Sequence, residues 1–413
     1  MLNEVKHLAV ECVGATGTPN AIHRVWEPDP VVALTVWAGT GACPYRWPDP
    51  SLSLRMTKME TECNERSRMK AAYLIGPQTV ELRDVAEPVA PDGGLVLDVK
   101  ACGICGSDLR RWKEGPPKEV EGIIPGHEGA GIVADVGRGV TRYAPGDYLA
   151  IAPDVHCGGC YYCQRGLYNL CDTLRFVGVT PEFPGALAEK LVLTEEVLTH
   201  GIVHPMPAGM SFIEASLAEP SCSVLASHQR AGTGPGDTVV VVGAGPIGCL
   251  HVVVARARGA RVVVSEPRAT RRALAERFEP QAIVDPGAED MKSRVQEVTG
   301  GVGADIVICA NPIAQTQTEA VEIVRKRGKV ILFGGLPRAN PMVTLDSNRI
   351  HYGEIEVFGA FSYHPTVHEL ALDLIQRKVI RADLLATHTF SLKEIGRAFE
   401  AAAGEALKVV VTT

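Results

Sequence analysis

The sequence predicts a two-part α/β protein: a β-rich antiparallel barrel-like part, then a doubly wound parallel sheet covered by helices. Three observations lead there. The chain has 413 residues, too long for one core and suited to two. From residue 69 to about 220, short β runs alternate with Gly/Pro turns. Beyond 220, uninterrupted β-branched runs alternate with helical stretches, the pattern of parallel strands buried on both faces.

Residues 1–68 differ in texture, with scattered Trp, Pro and Cys and no sustained period of 2 or 3.6. They read as an extension without its own fold, translation starting at Met69, Met56 or Met59. No basic start leads into an apolar run, so a signal peptide is not expected. In the first part, Val96–Ala101, Gly131–Val136 and Tyr148–Ala152 read as strands, and Ala144-Pro145-Gly146-Asp147 reads as a turn. In the second, six runs read as strands: Thr238–Val242, Arg261–Glu266, Ala282–Asp285, Asp305–Cys309, Lys329–Phe333 and Glu354–Phe358. The helical segments His368–Lys378 and Leu392–Ala403 return the chain towards the first part. The expected division is 69–221 with 362–413, and 222–361 for the parallel sheet.

Composition excludes several classes. A net charge of -7 and short basic runs such as Arg325-Lys326-Arg327, read as solvated helix ends, argue against a nucleic-acid partner. No stretch of about 18 apolar residues exists, so no membrane span is expected. The chain has 12 cysteines, but four of them cluster between Cys157 and Cys171, which reads as metal ligands in a reducing, cytoplasmic setting.

Val239–Val242 runs into Gly243-Ala244-Gly245-Pro246-Ile247-Gly248, and the helical stretch Cys249–Arg258 follows. Strand, glycine turn and helix together make a dinucleotide site. Gly243 permits the tight turn, Gly245 lets backbone approach a pyrophosphate, and Gly248 lets helix pack on strand. Pro246 and Ile247 open the helix whose free N–H groups face the phosphates. Glu266 closes the second strand, where a carboxylate binds ribose hydroxyls and repels a 2′-phosphate. That favours NAD over NADP, although Arg268 and Arg271 follow and could accept the phosphate.

Cys157, Cys160, Cys163 and Cys171 offer four thiolates, a closed tetrahedral shell for a structural zinc in a lobe spanning 154–175. A catalytic zinc needs about three protein ligands and an open position. Cys105 and His127 supply a thiolate and an imidazole, and the third ligand is Glu128 or Glu219.

Cys105-Gly106-Ser107-Asp108, Gly126-His127-Glu128, the four-cysteine lobe and the glycine turn occur in that order. Over residues 69–413 the chain thereby resembles the medium-chain zinc dehydrogenases, closest to the polyol and sorbitol (iditol) branch, with threonine dehydrogenase nearby. The resemblance implies a GroES-like catalytic domain, a Rossmann domain, two Zn²⁺ per chain, and a homodimer or homotetramer formed partly through Glu354–Phe358. It makes Cys105 a ligand and Cys102 packing, with Cys222, Cys249 and Cys309 as core residues. It gives Glu219 the acidic position where simple alcohol dehydrogenases carry cysteine. Asp108 is expected to orient His127.

The implied reaction is hydride transfer from a secondary alcohol to the nicotinamide, Ser107 taking the hydroxyl proton. The chain departs from the polyol branch in lacking the tyrosine near Arg111 and the arginine near Ser362. Arg110 and Arg111 could bind an anionic substrate, or lie exposed. His351, His364 and His368 read as solvated loop residues, with lining of the cleft as the alternative. Competing functions are threonine 3-dehydrogenase, aldose 1-dehydrogenase, a zinc-free quinone reductase, and a zinc-stabilised cofactor-binding protein without turnover.

Overall fold

A computed structural model of the chain describes residues 67–413. Almost all of the 1–68 extension, Met56 and Met59 included, lies outside the described residues. The described chain opens on a hairpin of β1 (Arg68–Gly76) and β2 (Thr79–Ala86), paired antiparallel from Arg68↔Ala86. Then come β3 (Leu95–Gly103), β4 (Glu128–Val136), β5 (Tyr148–Ala152), β6 (Asp154–Val155), β7 (Arg175–Phe176), β8 (Lys190–Leu193) and β9 (Ile202–Pro205). β10 (Thr238–Val242), β11 (Arg261–Ser265), β12 (Ala282–Val284), β13 (Ala304–Cys309), β14 (Val324–Leu332) and β15 (Glu356–Gly359) form the second sheet. The chain closes with β16 (Ala386–Ser391) and β17 (Lys408–Thr412).

The first large sheet runs β16-β17-β3-β4-β5-β9, with β8 also paired to β3. Alternating side chains such as Leu95, Leu97 and Val99 are fully buried, and they pack with Leu149, Leu187 and Phe399. The expected turn is present: the Asp147 N–H donates to Ala144 O at 3.1 Å, and Gly146 takes φ +95°.

The second sheet is parallel, in the order β12-β11-β10-β13-β14-β15. Val239, Val240 and Val241 of its centre are fully buried, as strands covered by helices on both faces must be. All six expected strands are there, with ends moved by a few residues. β14 differs most, starting at Val324 rather than Lys329. Arg325-Lys326-Arg327 is therefore strand, not a helix end. The Arg325 guanidinium reaches Asp305 Oδ1 at 2.6 Å, and Arg327 takes φ +56°.

β17 and β16 were not anticipated. β17 pairs antiparallel with β3, Val410 facing Gly103, and so stitches the C-terminus beside the start of β4. The boundary expected near 221 falls inside the helix Ala218–Ala231, which runs between the two sheets and packs on the helices Pro246–Ala257 and Thr366–Gln376. Cys102, Cys222, Cys249 and Cys309 are all buried. Among the described residues, no helix is long and apolar enough to cross a membrane.

Candidate metal and nucleotide sites

Strand register brings the first cluster together. Gly103 ends β3 opposite Glu128, the first residue of β4. A Cβ on Gly103 would lie 1.9 Å from Glu128 Oε2, so glycine there leaves room for the carboxylate. Two residues beyond Gly103, Cys105 caps the helix Gly106–Glu114. The Cys105 N–H donates to Asp108 Oδ2 at 2.9 Å, one half of a capping box. Ligand atoms of Cys105, His127 and Glu128 all lie within 4.8 Å of one another.

Asp108 thus holds Cys105 through Oδ2 and faces His127 with Oδ1. Its Oδ1 is 3.7 Å from His127 Nδ1, beyond hydrogen-bond range, and that ring nitrogen is buried without a partner. Ser107 Oγ lies 3.5 Å from His127 Nε2. Burial disfavours a charged His127 ring, but Asp108, Cys105 and Glu219 outweigh it and push its pKa well above the ordinary value. This excess of negative charge, with a soft thiolate, an imidazole and a carboxylate in reach of one point, fits a zinc ion.

Glu219, second residue of its helix, is not in that group of three. It accepts a hydrogen bond from Tyr363 Oη at 2.9 Å, and burial raises its carboxyl to about 7. It shares with Ser107 and His127 a cavity of about 280 Å³, also lined by Asp154, Phe176, Ser362 and Tyr363. Arg110 and Arg111 lie on the helix Gly106–Glu114 and do not line this cavity. Of the three histidines, His351 and His364 are exposed. His368 instead is helical and fully buried, its Nδ1 3.0 Å from His204 Nδ1.

Sequence reasoning missed Lys408. Its Nζ lies 2.5 Å from the Glu128 carboxylate and donates to Ile104 O at 3.0 Å, with both charged side chains buried. The available signal was one lysine inside the apolar run Leu407–Val411. It also missed Tyr363 and Asp154.

Sγ atoms of Cys157, Cys160, Cys163 and Cys171 lie within 4.8 Å of one another, in a loop closed by the short pairing of β6 with β7. Cys157 and Cys163 sulfurs are 4.0 Å apart, about twice a disulfide bond, and all four cysteines are free. Hydrogen bonds from Gly159 and Cys160 N–H bring the Cys157 thiol down to about 6, while burial pushes Cys163 up to about 12. A dication is what would let four such sulfurs be thiolates together.

At the nucleotide turn, Gly243 takes φ +106° and its N–H donates to Ser265 O at 2.7 Å. Gly245 caps the helix Pro246–Ala257, Pro246 stands at its first turn, and Ile247 packs into the core. A Cβ on Gly248 would sit 1.9 Å from Gly243 O. Glu266 accepts from the Ala244 N–H at 2.9 Å and from the Arg268 N–H at 3.0 Å. Arg271 lies beside Gly245, but its Nη2 donates to Gly404 O and Ala406 O at 3.4 and 3.3 Å.

Residues 91–207 match the alcohol dehydrogenase GroES-like domain, and residues 246–377 match the zinc-binding dehydrogenase model. A D-arabitol-phosphate dehydrogenase of Enterococcus avium is 32% identical over 333 residues, 79% of this chain and 92% of that protein. A sorbitol dehydrogenase of Bacillus subtilis (strain 168) is 30% identical over 352 residues, 83% and 97% of the two chains. A Sinorhizobium meliloti 1021 protein solved with NADP bound has a TM-score of 0.77 at 32% identity, covering 84% of this chain and 100% of that one. The chain belongs to the zinc-dependent medium-chain alcohol dehydrogenase family, within its polyol branch.

Proposed function

We propose that the protein oxidises a secondary alcohol of the polyol or sugar-alcohol type to the ketone, with NAD as acceptor and two zinc ions per chain. One observation carries this reading. The Cys105, His127 and Glu128 ligand atoms converge within 4.8 Å, and His127 also lines a cavity large enough for a small polyol.

Cys105, His127 and Glu128 are the residues that would hold the first zinc, and the four cysteines of the lobe the second. Zinc supplies a Lewis acid that makes an alcohol proton acidic near neutrality, and the nicotinamide supplies the two-electron acceptor. Ser107, at the cavity wall beside His127 Nε2, takes the hydroxyl proton and passes it outward. Tyr363 holds Glu219 across the cavity, where its carboxyl can exchange a proton near neutral pH. Buried Lys408 fixes the direction of Glu128. The Glu266 carboxylate, turned onto the glycine loop, disfavours a 2′-phosphate and supports NAD. Half-exposed Arg268 is the opposing feature. A homodimer or homotetramer through the free edge of β15, in the cytoplasm, belongs to the same reading.

The test is reduction of NAD and NADP against a panel of polyols, threonine and aldoses, with zinc quantified in the same preparation. Polyol turnover favouring NAD with about two zinc ions per chain is the expected result. Turnover of threonine or an aldose alone moves the chain to those activities. One zinc or none, with no turnover, sinks the catalytic-metal assignment.

A further inference from the structure

The cavity that holds Ser107 and His127 has a second polar wall. Asp154 opens β6, 5% exposed, and lines that cavity. Its Oδ2 accepts a hydrogen bond from the Ser362 hydroxyl. No hydrogen bond from a described residue reaches its Oδ1. Ser362 takes φ +49°, in the left-handed region that is uncommon for a residue with a side chain. Such strain clusters at sites that bind or react. Burial raises the Asp154 carboxyl to about 6, so it is ionised in alkaline assay conditions. The other polar lining groups are the Ser223 hydroxyl, Tyr363 and Glu219, and no Lys or Arg lines the cavity.

From this geometry we propose that Asp154, held by Ser362, anchors a hydrogen-bond donor of the substrate remote from the reacting carbon. The inference rests on the reading above and narrows its substrate class. A carboxylate on the cavity wall, with one oxygen held by Ser362 and the other open to the cavity, selects a second hydroxyl, or an ammonium group, on the same molecule. It disfavours a phosphate or carboxylate on that part of the substrate, because like charges in a confined site repel and no Lys or Arg lines the cavity beside Asp154. Arg110 and Arg111, outside this cavity, do not reverse that preference.

The experiment compares the zinc-loaded wild type with Asp154→Asn, which keeps the volume and can still accept from Ser362. Four substrates are used: xylitol, butan-2-ol, a pentitol phosphate and an amino alcohol. Binding of xylitol to the NADH-loaded enzyme is measured separately by calorimetry. The wild type is expected to favour xylitol over butan-2-ol and the pentitol phosphate. Asp154→Asn is expected to lower kcat/KM for xylitol about 10- to 100-fold, mainly through KM, with butan-2-ol changed less than about threefold. Retained turnover of xylitol in the variant, equal losses on xylitol and butan-2-ol, or a wild-type preference for the phosphate would each overturn the subsite. A preference for an amino alcohol over xylitol, lost in the variant, would keep the subsite and assign it to ammonium. If the wild type oxidises no alcohol, the reaction fails, and calorimetry judges the subsite alone. Weaker xylitol binding in Asp154→Asn then sustains it; unchanged or absent binding ends it.

Discussion

Lys408→Met isolates the charge that sequence reasoning overlooked. Lys408 is 5% exposed and Glu128 is fully buried, their charged ends 2.5 Å apart. Methionine keeps the aliphatic stem but leaves the Glu128 carboxylate without its cation. Removing one partner of a buried pair costs about 3–5 kcal/mol. At about 2.1 cal/mol/K of unfolding entropy per residue, a unit of this size should lose roughly 4–7 °C in Tm. Glu128 also belongs to the cluster with Cys105 and His127, so a bound dication offers the carboxylate a second source of positive charge. The loss should therefore be largest in zinc-stripped protein and smaller in zinc-loaded protein, since ligand binding to the native state adds stability. Calorimetric melting of both forms reads this directly. Glu128→Gln supplies the cycle, because the double variant should lose less than the two single losses added. An unchanged Tm in the stripped protein, or additive losses, would refute the argument that this pair is energetically coupled.

Three further outcomes follow from other contacts. Ser107→Ala should lower turnover by at least about 100-fold with zinc content intact; unchanged turnover would remove Ser107 from the proton path. Asn169, in the four-cysteine lobe, donates from Nδ2 to Phe361 O at 2.8 Å and so ties the lobe to the cavity wall. Asn169→Ala should raise the polyol KM about 3- to 10-fold with kcat nearly unchanged, and a fall in kcat alone would contradict that wall-positioning role. His228 Nε2 and His251 Nδ1 are 3.1 Å apart in the core, and His228 Nδ1 meets Thr233 Oγ1 at 2.9 Å. Burial brings His228 down to about 3 and holds His251 well below its ordinary value, against about 6.5 in an unfolded chain. Between those values the unfolded state binds protons that the native state refuses, so stability is full above pH 6.5 and falls with acid. Each histidine contributes up to about 1.4 kcal/mol per pH unit. Urea titrations from pH 7 to 5 should show a shallower loss for His228→Gln with His251→Leu, and an identical slope would refute the assignment.

What the chain's letters disclosed depended on how local the physics was. β10 was legible to the residue because a parallel strand covered on both faces must be apolar throughout, and Gly243 must end it. The two clusters that could hold a metal were legible because ligand chemistry is written in residue type, and the four cysteines are also close in sequence. β17 was not, since Lys408 breaks its apolar run. Its reason for being there, Glu128, stands 280 residues earlier. Asp108 shows the same limit at short range. Its type and position announced a supporting role towards His127, yet the capping box by which it also holds Cys105 is something only backbone geometry resolves. Asp154 and Ser362, 208 residues apart, carry no motif at all. The glycine turn and the four-cysteine run are local and readable. The parts that would choose one alcohol over another come from side chains far apart in sequence that meet only around the folded cavity. Substrate choice should therefore change by substitution at positions such as 154 and 362 while the metal and glycine motifs stay as they are.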